Sequence, residues 1–178
     1  MPDSQTTELR ALARAMFKAG VSAADPHKAL ARQFLSHPIR PLPAGGCFFI
    51  VALGKAAIAM AKTTLAHLPE GARFDALAVT NAENETSLAH CRVMRGGHPD
   101  PDNDSLKAAD AIIEMMSRAG PGDHVIALLS GGGSALVCAP ARGLGLADKL
   151  AINRLLLAEG LDIGETNLVR QHLSRLKG

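Results

Sequence analysis

The sequence contains no tryptophan and no tyrosine, and only 3% of its 178 residues are aromatic. Proteins that bind sugars or single-stranded nucleic acid by stacking need aromatic surfaces, so these binding classes are disfavoured. An excess of one charge is also missing, because 19 basic and 17 acidic residues give a formal net charge of +2 without a charged run. We therefore expect neither a nucleic acid nor an acidic membrane as a partner, and any anion must be recognised by a local site.

Cysteine and long apolar segments are scarce as well. The three cysteines, Cys47, Cys91 and Cys138, are too widely spaced for a CxxC pair, and the histidines show no HxxxH spacing. We therefore expect no disulfide framework, no zinc site and no other metal site made by the protein. The longest apolar runs, such as residues 125–129, are too short to span a membrane, and the polar residues 1–8 do not resemble a signal peptide. These absences predict a soluble cytoplasmic protein.

What is present is enough apolar sequence for one globular domain, with 47% hydrophobic and 20% charged residues. Two helices are predicted first. Apolar residues repeat at helical spacing from Leu9 and stop at Gly20. Asp25 and Pro26 are typical of an N-cap followed by proline at the first helical position, which predicts a second helix that ends near Ser36.

Strands and helices alternate after residue 46. The predicted strands are residues 47–53, 75–80, 91–94 and 123–129, and the predicted helices are 56–68, 103–119, about 146–158 and 165–176. The run 47–53 is continuously apolar, which is typical of strands buried on both faces, and 123–129 is predicted to be another buried strand. The pattern predicts an α/β fold, with a Rossmann-like, mostly parallel sheet that has helices on both faces and is preceded by two helices.

A glycine-rich loop follows the strand predicted at 123–129 directly. Its residues are Ser130, Gly131, Gly132, Gly133 and Ser134. Open parallel sheets bind ligands at the carboxyl ends of their strands, and successive glycines allow backbone N–H groups to form an anion nest beside the two hydroxyls. We therefore expect phosphate or carboxylate binding here. Two alternatives stay open: a loop that only permits a tight turn, and Ser134 as a nucleophile, which lacks the second glycine of a nucleophile elbow.

A lysine stands at the other strand-to-helix turn of interest. Lys55 follows Gly54 at the end of the predicted strand 47–53, where its ammonium group is able to bind phosphate or carboxylate oxygens. The segment is not a Walker A motif, because Phe49 replaces the required glycine and Ala56 the required hydroxyl residue. An ordinary solvated lysine is the alternative. A cation is unfavourable at a helix amino-terminus, however, and this favours a functional role.

The third candidate segment is residues 96–102, a loop that two prolines make rigid. It is able to place the imidazole of His98 and nearby carboxylates close to the same crevice. His98 is a candidate proton carrier or substrate ligand, and a structural histidine is an equally good interpretation. Asp102 is a candidate cap for the following helix.

Four motifs together resemble the type II glycerate kinases, also called glycerate 2-kinases, whose members are widely labelled hydroxypyruvate reductases. The motifs are Gly54-Lys55-Ala56, Gly97-His98-Pro99 with Pro101-Asp102, the segment 129–136, and the segment 165–178. Their order and spacing match over most of the chain. The resemblance implies phosphorylation of D-glycerate by ATP at the 2-hydroxyl, giving 2-phosphoglycerate, with Mg2+ held mainly by the nucleotide phosphates.

Transferred to this sequence, the resemblance implies that Lys55 is the catalytic cation and that residues 130–134 bind phosphate. It also places Asn167, Arg170 and Lys177 near the ligand, with an exposed surface arginine as the alternative for Arg170. The resemblance further implies that residues 1–178 are the amino-terminal part of a two-domain enzyme, without the carboxyl-terminal domain that supplies an essential arginine. The chain alone is then expected to bind ligands weakly and to turn over little.

Two other function classes stay open. A hydroxypyruvate reductase that uses NAD(P)H needs a dinucleotide fingerprint, but Gly143 and Gly145 lack its third glycine. A non-catalytic anion-binding domain predicts stabilisation by ligand without phosphate transfer. The formation of a homo-oligomer and the stereochemistry of the substrate are not determined by the sequence.

Overall fold

The computed structural model describes residues 4–177. Residues 1–3 of the segment compared with a signal peptide, and Gly178 of the last family motif, lie outside the described residues. The helices are α1 (Ser4–Ala23), α2 (Pro26–Ser36), α3 (Ala57–Ala66), α4 (Asn103–Ser117), α5 (Gly133–Leu136), α6 (Leu146–Ala158) and α7 (Ile163–His172). The strands are β1 (Phe48–Leu53), β2 (Phe74–Thr80), β3 (Arg92–Arg95) and β4 (His124–Leu129).

The two predicted amino-terminal helices are present. Asp25 caps α2 by accepting a hydrogen bond from the N–H of Lys28, and Pro26 takes the first helical position. The predicted end of α1 at Gly20 is wrong, because the helix continues to Ala23. An isolated glycine costs a helix only about 1 kcal/mol relative to alanine, so it does not have to end one.

The four strands form one parallel sheet with the order β3-β2-β1-β4. This confirms the predicted α/β fold with a parallel sheet, preceded by two helices. After β1 the chain adds β2 and β3 on one side of it and then crosses to add β4 on the other side. In such sheets the crevice for ligands opens at this reversal, here between the carboxyl ends of β1 and β4.

Helices cover both faces of the sheet. Phe48 and Ile50 of β1 belong to a cluster that includes Ala57 and Ala61 of α3. Phe49 and Val51 belong to the cluster on the opposite face, which includes Ile112 of α4. Alternate residues of β1 therefore enter two cores, which explains the continuous apolar run and confirms β1 as a strand buried on both faces.

The prediction that β4 is buried in the same way is wrong. Val125 and Leu129 are 44% and 69% exposed. They pair with Phe49 and Leu53 of β1 and so share the sheet face that α4 covers. In the described part of the chain β4 pairs with β1 alone, and α4 packs over β1 and not over β4, so this apolar strip remains open.

The predicted last helix, 165–176, is shifted in the structure. It begins at Ile163, where Asp162 provides the cap, and it ends at His172. The chain then folds back: Ala141 donates its N–H to the carbonyl of Leu173, and Arg175 donates its own N–H to the carbonyl of Ala139. The guanidinium group of Arg175 also pairs with Asp110 of α4 at 2.9 Å. These contacts fix the segment that carries Lys177.

The carboxyl ends of β1 and β4 are joined by hydrogen bonds. Ser130 donates its N–H to the carbonyl of Leu53 at 2.8 Å, and Lys55 donates its N–H to the carbonyl of Gly131 at 2.9 Å. The hydroxyl of Ser130 donates to the carbonyl of Leu53 and accepts the N–H of Ala56. Gly54 has a φ of +117°, and a Cβ atom there would collide with the Ser130 side chain and lie 2.6 Å from its carbonyl oxygen.

The opposite ends of the same strands are joined by one carboxylate. Asp123 accepts hydrogen bonds from the N–H groups of Cys47 at 2.8 Å and Gly120 at 2.9 Å. The N–H group of Gly120, followed by that of Cys47, lowers the pKa of the Asp123 carboxyl below its ordinary value of 3.8. The carboxylate therefore stabilises the start of both strands only while it is ionised.

We expect Asp123→Asn to be less stable than the unmodified chain at neutral pH. Because the pKa is lower in the folded state than in the unfolded state, this stabilisation is complete above the unfolded pKa and is lost as the pH falls through the folded pKa. Urea unfolding should therefore show a lower free energy of unfolding for Asp123→Asn than for the unmodified chain at pH 7. This difference should become smaller as the pH falls below 3.8. Asp100→Asn, at an exposed position, is the control. If the difference in free energy of unfolding between Asp123→Asn and the unmodified chain is the same at all pH values, the charge of Asp123 does not have this role.

We also expect Gly54→Ala to be more destabilising than Gly71→Ala. Both glycines have positive φ, but a Cβ at Gly71 would meet no atom within 4 Å. Gly71→Ala should cost about 1 kcal/mol, the typical penalty for an L residue in that region. Gly54→Ala should cost about 1–3 kcal/mol more, because its Cβ overlaps Ser130. Equal free energies of unfolding in the two variants would show that the contact between the two strand ends is unimportant.

Candidate functional site

An open cavity of about 830 Å³ lies at the crevice between the carboxyl ends of β1 and β4. One part of its wall is apolar and comes mainly from the uncovered face of β4, together with Ile112 and Met116 of α4. The other part is polar. It contains most of the site residues that the sequence predicts, namely His98, Ser130, Gly132, Gly133, Ser134, Asn167, Arg170 and Lys177.

The glycine-rich loop presents unused backbone donors to this cavity. Among the described residues, the N–H groups of residues 131–134 have no hydrogen-bond acceptor, and the hydroxyl of Ser134 has no partner. Gly132 has a φ of +94° and stands immediately before the short helix α5. Consecutive free N–H groups around a left-handed residue form a nest that binds oxyanions. The hydroxyl of Ser130, by contrast, is already used between β1 and β4.

Lys55 and His98 meet at Gly132. A Cβ atom built on Gly132 would lie 3.6 Å from Cγ of Lys55 and 3.2 Å from Cδ2 of His98. Both side chains are exposed at the mouth of the crevice. The loop after β1, the loop after β3 and the loop after β4 therefore bring a lysine side chain, an imidazole and the free amides into one small region.

The loop that carries His98 is held by a compact network. Gly97 donates its N–H to Oδ1 of Asp102 and to Oγ of Ser105, and Asp102 caps α4 by accepting the N–H of Ser105. Gly96 donates its N–H to the carbonyl of Thr80 at the end of β2. The peptide bond between His98 and Pro99 is cis. Asp102 is thus the cap of α4, as the sequence predicts.

The carboxyl-terminal part of the chain supplies the remaining predicted residues. Asn167 and Arg170 come from α7, and Lys177 comes from the segment that folds back after it. Arg170 is half-buried and donates from Nε to Oδ1 of Asn153 on α6 at 3.0 Å. Arg170 therefore lines the cavity and is not the exposed surface arginine that was the alternative interpretation.

Sequence reasoning missed Lys149, which is 7% exposed and lies beside Arg170 and Lys177. It donates from Nζ to the carbonyl of Leu173 at 3.2 Å. Burial lowers the pKa of Lys149, and the nearby charge of Arg170 lowers it further. Burial, followed by the charges of Lys149 and Arg170, likewise lowers the pKa of Lys177. The only feature of the sequence that indicates the burial of Lys149 is its spacing from Asn153 and Leu156, which places the three residues on one face of the predicted helix 146–158.

The donors around the crevice suit anions. They are amide N–H groups, ammonium groups and a guanidinium group, and the residues that line the cavity include no carboxylate. Among residues 4–177, no group of three or more His, Cys, Asp or Glu side chains is placed to hold a metal ion. A search of the same residues finds no helix with the length and apolar character needed to cross a membrane.

Comparison with known proteins finds similar sequences and similar solved structures. A protein of Agrobacterium vitis named "Putative hydroxypyruvate reductase" is 39% identical over 169 residues, covering 95% of this chain and 37% of the relative. A "Glycerate 2-kinase" of Pyrococcus horikoshii is 33% identical over 177 residues, covering 96% of this chain and 40% of the relative. The crystal structure of a glycerate kinase from Thermotoga maritima superposes with a TM-score of 0.85 at 31% identity, covering 97% of this chain and 40% of that one.

The chain thus spans about 40% of the length of these relatives. Both the sequence and the structure comparison confirm the resemblance to glycerate 2-kinases that the four motifs indicate. Residues 12–178 match the sequence profile of a family described as a domain of unknown function, DUF4147. A match over this much of the chain is sufficient to assign the family, and the chain therefore belongs to the DUF4147 family as a relative of proteins named glycerate kinase.

Proposed function

We propose that the protein containing this chain uses ATP to phosphorylate D-glycerate at its 2-hydroxyl, giving 2-phosphoglycerate. In this proposal the chain supplies the side of the active site that binds phosphate. The observation that carries it is the set of free amides at residues 131–134 beside Lys55 and His98, at the crevice of a parallel sheet. The names of the Pyrococcus and Thermotoga relatives support the choice of reaction.

Phosphoryl transfer depends mainly on alignment and charge neutralisation, and the chain offers groups for both. The amides of residues 131–134 and the hydroxyl of Ser134 would bind oxygens of the transferred phosphate, and Lys55 would neutralise its charge. His98, which also lies beside Gly132, would hold or move the proton of the substrate hydroxyl. Mg2+ bound to the nucleotide phosphates would supply further neutralisation of their charge.

A reductase that uses NAD(P)H is less well supported, although two of the relatives are named as hydroxypyruvate reductases. A dinucleotide fingerprint places three glycines at the turn after the first strand. Here the turn after β1 contains Gly54 alone, and Gly143 and Gly145 lie in the loop before α6, which does not directly follow a strand. The fingerprint that binds the pyrophosphate of a dinucleotide is therefore absent from the turn after β1.

In the protein that contains this chain, we expect Lys55→Ala to reduce ADP release from Mg-ATP and D-glycerate about a hundredfold, because removing one group that stabilises transition-state charge has effects of this size. ATP should also raise the Tm of the unmodified chain more than that of the variant, which provides a measurement independent of turnover. Lys62→Ala, an exposed lysine on α3, is the control. Oxidation of NADH by hydroxypyruvate, or ATP stabilisation that is unaffected by Lys55→Ala, would contradict the proposal.

Gly132→Ala should weaken ATP binding by about tenfold, because φ is +94° at this position and the new Cβ would press on His98 at 3.2 Å. The loop must then shift, and its amides lose their common direction. Gly143→Ala is the matched control, since Gly143 has a φ of +85° but no atom lies within 4 Å of its Cβ position. Calorimetric titration with Mg-ATP distinguishes the two variants, and equal affinities would exclude the loop as the phosphate site.

A further inference from the structure

A second, smaller cavity of about 110 Å³ opens beside the crevice. Its wall contains three cationic side chains, Lys149 of α6, Arg170 of α7 and Lys177. Asn153 lies between them and accepts the Nε hydrogen bond of Arg170. Residues from two helices and from the returning carboxyl-terminal segment thus converge on one point, although they are far apart in the sequence.

Lys149 is buried and Arg170 and Lys177 are half-buried, an environment in which cations are normally paired with a carboxylate. In the described part of the chain, none of the ion pairs involves Lys149, Arg170 or Lys177. Lys149 is 7% exposed, and its ammonium group has one hydrogen bond, to a backbone carbonyl. Grouping like charges away from water is unfavourable unless an opposite charge compensates them. The lowered pKa values of both lysines reflect this cost, which an anion in the cavity would relieve.

The size of the cavity limits the anion that it accepts. A space of about 110 Å³ holds a carboxylate with a few more atoms but not a nucleoside, which needs the 830 Å³ cavity. Ser134, Ala135, Arg170 and Lys177 line both cavities. A small acid bound by the cations would therefore lie directly beside the glycine-rich loop, where a nucleotide phosphate would be held.

We propose that Lys149, together with Arg170 and Lys177, forms a subsite that binds the carboxylate of a small hydroxy acid. This inference rests on the proposed function and adds to it the position of the acid substrate. The ammonium groups of Lys149 and Lys177 and the guanidinium group of Arg170 bind the carboxylate oxygens. The hydroxyl of the acid then points toward Ser134 and the free amides of the loop.

The test measures D-glycerate binding to the 178-residue chain by NMR titration without nucleotide, which detects weak binding. Lys149→Gln and Lys177→Met should each reduce the affinity for D-glycerate about tenfold, as expected for a lost hydrogen bond to a charged group. Lys177→Met also guards against misfolding, because within residues 4–177 the Lys177 side chain makes no hydrogen bond that the fold would lose. Lys62→Met, exposed on α3, should bind like the unmodified chain.

Inorganic phosphate and Mg-ATP are titrated separately to identify the anion. Retention of Mg-ATP affinity in both variants, with loss of D-glycerate affinity, is the expected result. If the variants lose Mg-ATP or inorganic phosphate binding but keep D-glycerate binding, the cluster serves the nucleotide and the subsite proposal is wrong. Absence of D-glycerate binding at millimolar concentrations in the unmodified chain also overturns it. Neither result removes the kinase proposal, which is tested separately by the dependence of Mg-ATP binding on Lys55 and by the assay with NADH and hydroxypyruvate.

Discussion

The hydrogen bonds between the carboxyl ends of β1 and β4 determine where the candidate ligand-binding groups of this chain lie. Ser130 bonds to Leu53 and Ala56, and Lys55 bonds to the carbonyl of Gly131. The two loops are in direct contact because Gly54 has no side chain, and the space that a Cβ atom would need is occupied by Ser130. This contact turns the carbonyl of Gly131 toward β1 and leaves the amides of residues 131–134 facing the crevice.

The electrostatics of the crevice follow from this arrangement. A formal net charge of +2 over 178 residues gives no general attraction for anions, so recognition depends on local geometry. Fixed amide dipoles, Lys55 and the group of Lys149, Arg170 and Lys177 all favour negative charge, and no carboxylate lines the large cavity. Preorganised donors of this kind stabilise bound or developing anionic charge without further rearrangement of the protein.

Much of the fold could be predicted because its signals are local. The buried run of β1, the cap and proline of α2 and the alternation of strands and helices are all visible along the chain. The exposure of β4 could not be predicted, since its residues are as apolar as those of β1 and differ only in what covers them. Lys149 was missed for the same reason, because its burial depends on the return of the chain near Leu173.

The sequence by itself determined the element types, the glycine-rich loop and the family motifs, because short-range backbone preferences and residue spacing encode them. The tertiary structure alone decided which side chains meet. In the folded chain the hydroxyl of Ser130 joins two strands, His98 and Lys55 both lie beside Gly132, and three cations come together from α6, α7 and the returning segment. These are contacts between residues far apart in the chain, and their energies arise only once the sheet and its helices have packed.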